Sequence, residues 1–100
     1  MDQEICFKTH KNGKDVIVAM CDADVLGKTF REGQLKLHVN TEFYDGTRLS
    51  LEQGFAQIDQ ATIINLTGHR VVERGVKEGV VHREAIIRIS GVPHAMWVKI

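Results

Sequence analysis

The chain has 100 residues, of which 43% are hydrophobic and 26% charged, the size and balance of one globular domain with one modest core. Thirteen basic residues offset thirteen acidic ones, giving a formal net charge of zero. No whole-molecule field then draws in nucleic acid or an anionic membrane, so an anion-binding face has to be local.

No apolar run approaches the roughly 20 residues of a membrane span. Met1-Asp2-Gln3-Glu4 has no charged-then-apolar leader, so a cytoplasmic protein without a signal peptide is expected.

Residues 3–10 and 15–21 read as a β-hairpin around Asn12-Gly13, since both central residues of a tight turn of this kind take positive φ. A two-residue turn there sets Ile5 opposite Met20, Phe7 opposite Val18 and Thr9 opposite Val16, forming one mostly apolar face. The other face is mixed: Glu4, Lys8 and Asp15 lie there with Cys6, Ile17 and Ala19. This register puts Cys6 and Cys21 on a diagonal, too far apart for an unstrained bridge. Free thiols in a reducing setting are expected.

Asp22 reads as the N-cap of a short helical turn over Ala23 to Gly27. Lys28 to Gly33 reads as a linking loop. Leu35, Leu37 and Val39 alternate with Lys36 and His38, the pattern of a half-buried strand. Asn40 to Arg48 reads as a loop turning at Asp45-Gly46, with Phe43-Tyr44 as an exposed aromatic pair. Ser50-Leu-Glu-Gln53 is a capping box. The helix behind it carries Leu51, Phe55 and Ile58 on one stripe, and Gly54 within it predicts close packing or a weak helix.

Ala61 to Leu66 reads as a short buried strand. Thr67-Gly68 leads into a second helix over His69 to Glu78, closed by Gly79. Ala85 to Ser90 is a further strand, Gly91-Val92-Pro93-His94 a turn, and Ala95 to Ile100 a last strand. The order predicts a single α+β domain over residues 1–100, a mixed β-sheet with terminal hairpins and helices packed on one face.

Gly27-Lys28-Thr29 is not a phosphate-binding loop, because the glycine that motif needs five residues earlier is Asp22. Lys28 and Arg31 still stand near a chain reversal. They are either solvated cations beside a core-plugging Phe30 or groups that hold phosphate oxygens or an acidic partner. The second helix offers open backbone N–H groups at Gly68 and His69, a geometry suited to an anion. Arg70, Arg74 and Lys77 recur along one side of it, as a nucleic-acid backbone would need. Glu73 and Glu78 close by fit an ordinary solvated face equally well. His94, held after Pro93, is a base, a stacking surface for a nucleobase or an ordinary loop residue. The histidines and cysteines show no ligand spacing, so no metal and no cofactor is expected. A nucleophile elbow is absent.

Cys21-Asp22 with Leu26 to Gly33, then Glu42-Phe43-Tyr44, Asn65-Leu66-Thr67-Gly68 and Gly91-Val92-Pro93-His94-Ala95 resemble the small archaeal domain-of-unknown-function family 424. The resemblance runs in order from the first hairpin to Ala95. It implies a stand-alone cytoplasmic archaeal protein of a kind labelled as RNA-binding by prediction, and it carries over no catalytic residue.

Two functions stay open. The first is an RNA-binding module near the translation machinery. In it Lys28, Arg31, Arg70, Arg74 and Lys77 contact phosphates, the N–H groups around Gly68 and His69 form an anion nest, and Tyr44 or His94 stacks on an unpaired base. The second is a non-enzymatic protein-interaction module, a subunit or a homodimer, docking through Phe43, Tyr44 and Trp97. An enzyme would need His94, Asp22 and a cysteine to converge.

Overall fold

The structure is a computed structural model that describes residues 5–100. The start of the first predicted strand, Gln3 and Glu4, lies outside the described residues. Strands β1 (Ile5–Asn12) and β2 (Asp15–Asp22) form the expected hairpin. β5 (Thr47–Leu49) borders β1, and β6 (Ile63–Thr67) runs parallel to β2. β8 (Val92–Val98) lies antiparallel between β6 and β7 (Ile87–Ile89). The result is a mixed six-stranded sheet in the order β5-β1-β2-β6-β8-β7, and β3 (Thr29–Glu32) with β4 (Leu35–His38) forms a separate two-stranded ribbon. The helices are α1 (Thr41–Tyr44), α2 (Leu51–Phe55) and α3 (His69–Lys77).

The first hairpin corrects the expected register. Asn12 pairs with Asp15, so the turn is Gly13-Lys14. Gly13 alone takes positive φ there, at 62°, and a turn that needs it only at its first central residue spares Asn12 the strain. Phe7 then faces Met20, and Cys6 lies directly opposite Cys21 instead of on a diagonal. The shift is by two residues, so every side chain keeps its predicted face. Both thiols are free and fully buried.

The first face of the sheet carries Ile5, Phe7, Val18, Met20, Ile64 and Leu66. Phe55 from α2 and Val71 and Val72 from α3 close over them. The capping box of α2 is complete: Ser50 N–H donates to Gln53 Oε1 at 3.0 Å, and Gln53 N–H to Ser50 Oγ at 3.1 Å. Gly54 is the point of close packing, since a Cβ there would meet Ile5 Cδ1 at 2.6 Å. The second face carries Cys6, Ala19, Cys21 and Val92. Val39, Tyr44 of α1 and the ribbon residues Phe30 and Leu37 cover part of it.

Three stretches depart from expectation. Lys28 to Gly33 is not a plain loop, because Thr29–Glu32 pairs with Leu35–His38. Asn40 to Arg48 holds α1, capped by Asn40 Oδ1 accepting from the N–H groups of Glu42 at 2.7 Å and Phe43 at 3.1 Å, and then β5. The last hairpin turns at Ser90-Gly91, both with positive φ, 53° and 84°. Ile89 therefore faces Val92, and Pro93 and His94 lie inside a strand, not in the turn.

Candidate functional site

Asp22 is a cap, but of a helix 48 residues away. Its side chain makes no cap bond to the short turn that follows it. Instead Oδ2 accepts from Arg70 N–H at 2.8 Å and Oδ1 from Val71 N–H at 3.0 Å. Gly68 makes the approach possible: it has φ 117°, and a Cβ there would stand 2.5 Å from Asp22 Cγ. The anion nest expected around Gly68 and His69 is thus filled by the protein's own carboxylate. Burial pushes the Asp22 carboxyl up, against the pull of its two N–H donors. Nothing in the local pattern around Thr67-Gly68 points to a partner so far away in sequence.

The α3 stripe forms with its charge largely balanced. His69, Arg70, Arg74 and Lys77 line a shallow cleft of about 390 Å³ with Leu51 and Glu73. Arg74 is committed: Nε donates to Glu78 at 2.8 Å, a terminal nitrogen reaches Glu52 at 3.3 Å, and the guanidinium lies 5.7 Å above the Phe55 ring. Glu73 in turn holds Arg83 through two hydrogen bonds, of 2.9 and 3.2 Å. Lys77 is exposed.

The ribbon is different. Arg31 lies directly opposite Lys36, and residues so paired share a face, with Cβ atoms about 5 Å apart. Thr29 and His38, joined by a 2.8 Å hydrogen bond, extend that face, and Lys28 precedes it. All five side chains are exposed. Among the described residues, Lys28, Arg31 and Lys36 make no ion pair. The ribbon's one carboxylate, Glu32, belongs to the inner face with Phe30 and Leu37, where it accepts from Ser90 N–H at 2.6 Å and fastens the ribbon to the β7–β8 turn. The sequence does not single out Lys36 as a site residue, because Lys28 to Gly33 reads as a loop. The signal was present in the alternation from Thr29 to His38 about Gly33-Gln34.

The aromatic docking pair is not exposed as expected. Tyr44 is buried, with its hydroxyl bonded to Asn65 Oδ1 at 2.8 Å and Thr67 Oγ1 at 2.9 Å. It cannot stack on a base, and burial pushes its hydroxyl up to about 12. Phe43 is half-buried, stacked on His10 at 4.8 Å. Trp97 is half-buried against the helix-covered core.

His94, Asp22 and the cysteines do not converge. His94 lies on the second face in a row with Thr67, Cys21 and Cys6, whereas Asp22 belongs to the first. Burial pushes the Cys6 and Cys21 thiols up, away from the nucleophilic thiolate. His94 Nδ1 bonds Thr67 Oγ1 at 2.8 Å, and burial lowers its pKa. Among the described residues no three His, Cys, Asp or Glu side chains gather as metal ligands, and no helix is long and apolar enough to cross a membrane.

A family model described as a protein of unknown function, DUF424, matches residues 9–100. No curated protein matches the chain. The fold is similar to the crystal structure of an uncharacterized conserved protein from Methanopyrus kandleri, with a TM-score of 0.81 over 97% of this chain and 94% of that one, at 24% identity.

Proposed function

The chain belongs to the DUF424 family, whose description assigns no activity, and we propose that it is an RNA-binding module whose phosphate contacts lie on the β3–β4 ribbon. The observation that carries this is the Arg31–Lys36 pair. Like charges directly opposite on two strands destabilise the pairing. A protein of zero net charge had acidic residues to place there, and Glu32 is turned to the other face instead. Lys28 adds a third cation. Such a cluster suits phosphate oxygens, which neutralise the mutual repulsion on binding.

The α3 face contributes less. Asp22 fills the helix terminus, and Glu52 and Glu78 hold Arg74. The site therefore shifts from the helix stripe to the ribbon.

Fluorescence anisotropy with a short single-stranded RNA at stepped salt tests this. Three phosphates neutralised on a single strand give a slope of about −2 in log affinity against log salt. Reversing both charges, Arg31→Glu with Lys36→Glu, should abolish binding while circular dichroism stays unchanged. Undiminished binding by the double variant would remove the ribbon from the function.

A further inference from the structure

Next to the part covered by α1 and the ribbon, the second face of the sheet lies open. Ile87 and Val98 are 53% exposed and Met96 52%. Half-buried Ile63, Asn65 and His94 share this face. The floor is apolar, with polar atoms at one end.

Proton counting fixes what those polar atoms offer. Asn65 Oδ1 has no proton, so the Tyr44 hydroxyl donates to it. Its proton spent, Tyr44 must accept from Thr67, whose own single proton is thereby used. Thr67 Oγ1 then accepts from His94, so Nδ1 carries the proton. At neutral pH Nε2 of His94 is left as a bare acceptor. It has no partner among the described residues, and no side-chain nitrogen or oxygen there is both buried and unsatisfied, so Nε2 reaches the surface. Among the described residues Asn65 Nδ2 has only the Met96 sulfur at 3.7 Å, a weak acceptor. The open face thus presents one fixed acceptor and one spare donor, from residues diagonal to each other across β6 and β8.

We propose that this face seats one unpaired base of the RNA strand whose phosphates the ribbon holds. The base edge lies between His94 Nε2 and Asn65 Nδ2, and its ring lies on Met96 and Ile87. This rests on the ribbon as a phosphate site, whose charge sets the class of occupant. Each nucleobase carries a donor beside an acceptor on its pairing edge, and its flat face suits a thioether and an aliphatic floor. The strand must be single, because paired A-form RNA keeps that edge occupied.

The test titrates the wild-type protein with two single-stranded RNAs of equal length, one intact and one abasic with the same phosphates. NMR follows the His94 ring nitrogens and the Asn65 side-chain amide. The intact strand should bind about tenfold more tightly, from the base contacts, and should move both sets of signals. His94→Phe should remove about three- to tenfold of that preference, the worth of one hydrogen bond, and leave abasic binding alone. Equal affinity for the two strands overturns the base seat and leaves the ribbon standing. Binding of neither overturns both. A free protein that sediments as a dimer with Met96 and Val98 protected assigns the face to a second copy and also overturns it.

Discussion

Asp22 and Gly68 form a unit that only the folded chain reveals. The carboxylate supplies the cap that Gly68 cannot, and the missing Cβ leaves room for it. Asp22→Ala should cost about 1–2 kcal/mol, as for a lost N-cap, and lower Tm by roughly 4–8 °C per kcal/mol. Gly68→Ala should cost about 2–3 kcal/mol, from a backbone region that favours glycine and from collision with Asp22. Urea titration checks both. His94 adds a pH dependence. Its folded pKa is lowered by burial, so its contribution is present above the ordinary histidine value of about 6.5 and is lost as pH falls through the lowered folded one. His94→Gln should flatten the loss of stability as pH falls below about 6.5. Sequence reads Asp22 as the cap of the turn that follows it, to which its side chain makes no bond, and His94 as part of a turn where the structure has strand β8. It could not name their partners, which lie 48 and 27 residues away.

Among the elements, those with their own local chemistry were legible. The α2 capping box and the α3 periodicity rest on spacings of three and four residues; both helices start where those spacings place them, and α2 ends at Phe55, short of the expected Ile58. In sequence the ribbon reads as a loop and one strand, because Gly33-Gln34 is a weaker turn signal than Asn12-Gly13 and β3 has only four residues. At Asn12-Gly13 itself the motif marked the hairpin but misplaced the turn by one residue. The ribbon's charge has a consequence of its own. Arg31→Glu alone turns a repulsive cross-strand pair into an attractive one with Lys36, so Tm should rise by about 2 °C at low salt while RNA affinity falls. A surface with no role in binding would show the gain in stability without the loss in affinity.

At the scale of the molecule, the mixed sheet with a hairpin near each end and α2 and α3 on one face was legible from the order of the elements. The second face was not. Its cover comes from α1 and the ribbon, both inside stretches read mainly as loops, and its open part follows from how little they cover. The same sheet separates the two cationic regions. α3 packs on the first face and the ribbon on the second, so one measurement can tell them apart. Backbone amide shifts recorded by ¹⁵N NMR during titration with a short single-stranded RNA locate the contact directly. The largest changes should fall between Lys28 and His38 and fade at high salt. Changes centred on Arg70 to Lys77, with the ribbon silent, would contradict the ribbon as the site.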